Sequence, residues 1–288
     1  MDNNNRNTNL VPKGTLLIIG GHENKDGIAD KKVQSVSDRP LEILKEFIKV
    51  IPKKDCSIEV VTTASSEADE TFEEYRKIFA SLCSGSIGHI HHDSRQQMLA
   101  EDLSDRINTA DGIFFAGGDQ LKLTSIYGGS SFLLALKKRY IYQPIVIAGT
   151  SAGAMAMSTP MIFSGSKDKQ QLTGEVKIAI GMEFLKDICI DTHFVDRGRF
   201  VRMAQVIATN PTCIGIGIEE DTALVVREGN KMEVIGSGVV IITEGFGITN
   251  SNILEYGTGE RISIENLNVK LLASGCNYTI PRHSPPHI

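Results

Sequence analysis

The sequence predicts an α/β fold: a three-layer α/β/α sandwich with a mainly parallel central sheet and an antiparallel C-terminal extension. Two observations carry this. Short apolar runs alternate with amphipathic stretches as far as Ala148, and beyond Asn210-Pro211 β-like runs follow one another without a break. The chain has 288 residues and 41% hydrophobic content, enough to bury a large core, and α/β folds of this size often remain single.

In order, Thr15–Gly20 (TLLIIG) reads as a buried strand closed by glycines. Leu41–Ile51 has helical spacing, with Pro40 near its start. Ser57–Thr62 is a strand, Glu67–Leu82 a charged amphipathic helix, and Gly88–His92 a short strand. Leu99–Thr109 is helical, Asp111–Ala116 is a strand ending in Gly117-Gly118, Leu121–Tyr140 is mostly helical, and Pro144–Ala148 is a strand. The later runs are Cys213–Ile218, Thr222–Arg227, Met232–Ile235 and Val239–Thr243, read as an extension of the same sheet. The arrangement is flavodoxin-like. Residues 1–13, Asn-rich with no apolar stretch of signal-peptide length, and 281–288 read as mobile tails around a single domain, 14–280.

Net charge is −5 and no basic stripe runs along the chain, which argues against a nucleic-acid partner. No run of 18 apolar residues occurs, so no membrane-spanning helix is expected. Five scattered cysteines without a C-x-x-C pair argue for reduced thiols in a cytoplasmic protein, with no disulfide framework and no zinc site.

Gly149-Thr150-Ser151-Ala152-Gly153 lies where an apolar strand gives way to helix formers. Gly-x-Ser-x-Gly in that context is the nucleophile-elbow pattern, in which glycines permit a cramped turn that lifts the hydroxyl clear. Small residues that let a helix pack closely on the sheet would also explain it. A serine hydroxyl needs a base, and the base an orienting partner. His193, in Asp191-Thr192-His193-Phe194, follows the apolar run Ile188–Ile190. Glu219-Glu220-Asp221 ends a further strand, where a solvated turn would explain three carboxylates equally well. The cluster His89, His91 and His92 has no cysteine at ligand spacing, and for His22 a glycine-rich turn is as good an explanation as any function.

Taken together, GTSAGA, DTHF followed by RGR, GGDQ and GIGIEEDTA resemble the cyanophycinases, serine peptidases of the peptidase E family, over about residues 14–272. The resemblance implies Ser151 as nucleophile, His193 as base and Glu220 as orienting acid; Asp168, between Ser151 and His193 in an otherwise polar loop, is the runner-up for the acid. Glu219 and Asp221 are expected to point to the other face by strand alternation. It implies an oxyanion hole from the amides of Gly118 and Ala152, and no metal or organic cofactor. It further implies cyanophycin as substrate, a polyaspartate with arginine on each β-carboxyl, cut to β-Asp-Arg dipeptides, and a homodimer. Such a site must hold carboxylates and a guanidinium. Arg197, Arg199 and Arg202 supply guanidinium forks just after His193, and Gln120 and Asp191 resemble further substrate contacts. Thr192 stands where the family tends to have glutamine, which bears on substrate preference. The competing readings are a peptidase E-type aspartyl dipeptidase and a non-catalytic binding protein on the same fold.

Overall fold

The computed structural model describes residues 10–25, 41–165, 169–255 and 258–281. Asp168, Pro40 and most of both tails lie outside them. The strands are β1 (Thr15–Ile19), β2 (Ile58–Val61), β3 (Ile87–Ile90), β4 (Gly112–Phe115), β5 (Val146–Thr150), β6 (Ser158–Thr159), β7 (Met161–Ser164), β8 (Lys177–Ala179) and β9 (Leu185–Lys186). They continue as β10 (Ile188–Asp191), β11 (Ile214–Ile218), β12 (Thr222–Arg227), β13 (Lys231–Gly236), β14 (Val239–Glu244), β15 (Asn250–Ser251), β16 (Ile264–Glu265), β17 (Asn268–Ala273) and β18 (Asn277–Thr279). The helices are α1 (Glu42–Val50), α2 (Ala68–Leu82), α3 (Arg95–Ala100), α4 (Ser104–Thr109), α5 (Gln120–Tyr127), α6 (Ser131–Tyr142), α7 (Ala152–Met155) and α8 (Phe200–Thr209).

An eight-stranded sheet runs β18-β13-β12-β1-β5-β4-β2-β3. Its half from β1 to β3 is parallel, and β12, β13 and β18 extend it antiparallel from the β1 edge. This is the flavodoxin-like arrangement with its antiparallel extension. The extension does not take all the later strands, however. A second sheet of six strands runs β17-β14-β11-β10-β6-β9. The reason is visible in β10-α8-β11: a strand, a crossover helix and a parallel strand form a new βαβ unit instead of lengthening an edge.

Alternation along β1 sorts the core. Leu16 and Ile18 face one cluster with α4, α6 and the second sheet, while Leu17 and Ile19 face another with α1 and α2. Ile214, Ile216 and Ile218 of β11 join the first cluster, so the second sheet covers part of the first sheet's face. On the far side of β11, a Cβ at Gly217 would lie 2.3 Å from the Phe194 ring, and one at Gly215 would lie 2.5 Å from Met203 Sδ. The two glycines let α8 and the segment after His193 close onto β11.

Two expected helices are broken. The stretch Leu121–Tyr140 divides at Gly128-Gly129, and Ser130 caps the second part by accepting from Leu133 N at 3.2 Å. In place of Leu99–Thr109 stand α3, capped by a Ser94–Gln97 capping box, and α4, separated by residues 101–103.

Candidate active site

The carboxyl end of β1 is the frame on which the site hangs. Ile19 O accepts from Ser151 N at 3.0 Å, Gly20 O from His193 N at 2.9 Å, and Gly21 O from Asp221 N at 2.9 Å. Consecutive carbonyls of one strand end thus fix three chain segments far apart in sequence. Gly21 has φ +96°, and a Cβ there would lie 2.4 Å from the His193 ring, so only glycine lets the imidazole sit against the frame.

Ser151 occupies the turn between β5 and α7 with φ 51° and ψ −112°, a conformation that L-residues rarely hold without surrounding constraint. The flanking glycines supply that constraint. A Cβ at Gly149 would lie 2.5 Å from the Gly153 backbone, and one at Gly153 would lie 2.3 Å from Phe115 O. Close packing and a lifted hydroxyl are therefore one feature, not alternatives.

Ser151 Oγ lies 2.9 Å from His193 Nε2, and His193 Nδ1 lies 2.5 Å from Glu220 Oε1. With Nδ1–H donating to the carboxylate, Nε2 presents its lone pair to the serine hydroxyl. The His193 side chain is 4% exposed and Glu220's 27%. Burial lowers the His193 pKa most, against the raising effect of its hydrogen bond to Glu220; the charges of Arg197 and His22 lower it further. Burial works to raise the Glu220 pKa, but hydrogen bonds from His193 and His22 outweigh it, and the carboxyl ends below its usual range. The pair therefore stands as a neutral imidazole beside an ionised carboxylate at neutral pH.

Glu220 is picked out from its neighbours by a turn and not by strand alternation, because residues 219–221 fall between β11 and β12. Glu219 Oε2 accepts from Val239 N at 2.8 Å, while Asp221, at φ 46°, accepts from Asn24 N at 2.8 Å and Ser237 Oγ at 2.7 Å. Both are occupied in shaping the turn that presents Glu220.

Gly118 (φ +135°) follows β4, and a Cβ there would lie 2.0 Å from Ala64 O. One at Gly117 would lie 3.9 Å from Ser151 Oγ, so this turn borders the serine. Neither Gly118 N nor Ala152 N donates to any group among the described residues. Asp119 caps α5 through Leu121 N, and Gln120 Nε2 donates to Ile162 O at 2.8 Å.

Asp191 is fully buried between two of the arginines. Its Oδ1 accepts from Arg199 Nη1 at 3.1 Å and its Oδ2 from Arg202 Nε at 2.5 Å, with a further bond from Arg202 Nη2. Arg202 is 7% exposed, and its remaining hydrogen bond among the described residues is to Gly165 O at 3.4 Å. Arg199 is half-buried, also donates to Thr192 O at 2.6 Å, and is pulled down to about 10 by burial, still charged at neutral pH. Arg197 alone of the three is exposed, with no ion pair among the described residues. Thr192 is buried and its Oγ1 has no partner among the described residues.

Two residues beside the site escape sequence reasoning. His22 Nδ1 lies 2.8 Å from the same Glu220 Oε1, its ring edge-on to His193 at 4.9 Å between centroids. Glu23 is a buried carboxylate that accepts from Thr150 Oγ1 at 2.6 Å and from the Tyr75 hydroxyl, bracing the residue before the serine. The only signal for either is position, directly after the Gly20-Gly21 turn. The other histidines among the described residues stand elsewhere: His89 and His91 share Thr62 Oγ1, and His92 bridges Tyr127 and Glu101.

Residues 33–234 match the model of peptidase family S51. The chain belongs to that family and is a serine-type peptidase. It is 29% identical over 275 residues to a cyanophycinase of Synechococcus elongatus, covering 96% of this chain and 82% of that one. It is 28% identical to a cyanophycinase of Geminocystis herdmanii, covering 95% and 96% of the two chains. A peptidase from an acI-B1 Actinobacterium has a similar structure, with TM-score 0.62, 18% identity, and 94% and 98% of the two chains covered. A putative peptidase E protein of Listeria monocytogenes has TM-score 0.51 and 14% identity over 78% of this chain and 99% of the other.

Proposed function

We propose that this peptidase hydrolyses cyanophycin to β-Asp-Arg dipeptides through Ser151, His193 and Glu220. The observation that carries the chemistry is the unbroken line from Ser151 Oγ through the two His193 nitrogens to Glu220 Oε1. His193 Nε2 takes the hydroxyl proton as Oγ attacks the scissile carbonyl, and Glu220 stabilises the imidazolium that forms. The developing oxyanion meets the amides of Gly118 and Ala152, each worth roughly 3 kcal/mol of barrier. The imidazolium then gives its proton to the leaving amine, and water cleaves the acyl-enzyme by the same route. No step needs a metal or an organic cofactor, and none uses His22.

The substrate assignment draws support from near-full-length likeness to proteins named cyanophycinase. Within the site, Arg197 and the half-buried Arg199 are the guanidinium groups we assign to substrate carboxylates, and Gln120 is assigned as a further substrate contact. Asp191 and Arg202 support that wall from behind, and Thr192 completes it. The reading extends to a cytoplasmic homodimer, checked by light scattering on the purified protein and by fractionation of the cells that make it. No helix among the described residues is long and apolar enough to cross a membrane.

The test is incubation of purified protein with cyanophycin, casein and Asp-Leu dipeptide, identifying products by mass. The expected result is β-Asp-Arg from the polymer and nothing from casein. Cleavage of Asp-Leu alone would instead make this an aspartyl dipeptidase. No cleavage of any of the three would favour a binding protein.

A further inference from the structure

His22, His193 and Glu220 bring a carboxylate oxygen and two imidazole nitrogens within 4.8 Å of one another, the only such set of three or more potential metal-ligating residues among the described residues. We propose that this set is an inhibitory site for a borderline-soft divalent cation such as Zn²⁺, which switches the hydrolase off by capturing His193 Nδ1. The inference rests on the reading of Ser151, His193 and Glu220 as the hydrolytic set.

Two imidazoles and a glutamate form a donor set suited to four-coordinate zinc, with water as the fourth ligand. Both histidine Nδ1 atoms already point at one oxygen, at 2.5 and 2.8 Å. Tetrahedral coordination at zinc bond lengths sets donors about 3.3 Å apart, so the ion enters where two protons now sit and the two histidine–carboxylate separations open by about 0.5–0.8 Å. Access is from the solvent side, since the His22 side chain is 69% exposed. His22 is attached to the same Gly20-Gly21 turn that fixes His193, so two ligands are held on one rigid strand end.

The chemistry of the block follows from the imidazole ring. A neutral ring that gives its Nδ1 lone pair to a metal carries its proton on Nε2. The single ring proton of His193 thus moves from Nδ1, by exchange through solvent, to Nε2, which donates to Ser151 Oγ where it formerly accepted. The serine loses its base without any ligand having to leave the site. The positive charge of Arg197 reaches His193 and opposes the ion, which fits a reversible switch better than a permanently loaded centre.

The experiment uses full-length wild type, His22→Ala and Ser151→Ala at pH 8, with Co²⁺ as a spectroscopic probe and a fluorophosphonate as a small active-serine probe. Wild type and Ser151→Ala are expected to show the intense visible bands of four-coordinate Co²⁺, and His22→Ala to lack them. Without metal, wild type and His22→Ala should label at similar rates. Zn²⁺ should slow labelling of wild type at least about tenfold, a chelator should restore it, and His22→Ala should need at least about tenfold more zinc, as the loss of one ligand implies. Unchanged labelling of wild type in zinc, or equal zinc sensitivity of the two proteins, overturns the inference. A wild type that shows the cobalt bands yet never labels refutes the hydrolytic reading and leaves the metal site standing.

Discussion

On one side of His193, Ser151 and Glu220 reach it through bonds of 2.9 and 2.5 Å, and the Gly118 and Ala152 amides donate to nothing among the described residues. On the other side, Asp191 draws the guanidinium groups of Arg199 and Arg202 into a buried cluster beneath the surface. On the reading of the Gly118 and Ala152 amides as oxyanion donors, the first region keeps its polar groups available for charge that is not yet there. The second has largely matched its charges already. Three arginines in six residues therefore do not amount to three free binding groups: Arg202 supports, Arg199 does both, and Arg197 is presented. Charge in a sequence does not tell which groups are committed; burial and partners decide it.

The comparison is broken most severely on the catalytic side. Ser151→Ala is expected to keep its fold, because alanine fits the cramped turn, and to lose hydrolysis down to background. Activity near wild type with a matching circular dichroism spectrum would remove Ser151 from its role. Glu220→Gln is expected to lower turnover on the order of 10³–10⁴-fold while KM changes little, since it leaves the imidazole without its acceptor in the correct tautomer. If Glu220→Gln is mild and Asp168→Asn is severe, the orienting acid is Asp168.

On the arginine side the two ends of the cluster should separate. Arg202→Ala leaves the buried Asp191 short of its main partner, and removing one member of a buried pair costs about 3–5 kcal/mol of stability, readable by urea denaturation. Arg197→Ala should leave stability within about 0.5 kcal/mol, as for most surface changes. It should raise KM for the polymer roughly tenfold or more, because a charge-assisted hydrogen bond contributes about 1.5–3 kcal/mol. Equal stability losses in both variants would erase the distinction drawn between the two residues.

The smallest effect concerns pH. If His193 is the base, it is competent only as neutral imidazole, and burial holds it below the ordinary histidine value of 6.5. Protonation therefore overtakes it only in more acidic solution, so kcat/KM should fall toward low pH with a midpoint under 6.5. A midpoint above that value would mean the ring is more solvated, or more tightly bound to Glu220 in its charged form, than its burial indicates.

What was legible in the sequence follows the range of the interactions. Ser151 in its elbow, the strands β1, β4 and β5, and the turn at Gly117-Gly118 are local patterns, set by neighbouring glycines and apolar runs, and each could be read in place. The break at Gly128-Gly129 and the helix start at Ser94 also carried local signals, glycines and a capping box, that the helical periodicity masked. By contrast, His193 is set by a bond to Gly20 O, across more than half the chain, and no periodicity contains that information. The same holds for His22 on Glu220, for Asp191 between its arginines, and for the second sheet, whose strands look like any others until β10, α8 and β11 are seen to form a unit of their own.

The most direct test is the mass of the intact protein after fluorophosphonate treatment, followed by peptide mapping. If Ser151 is activated by His193 and Glu220, one adduct forms, it maps to Ser151, and it disappears in Ser151→Ala. No adduct on the folded wild type, or one that maps to another serine, would contradict the account.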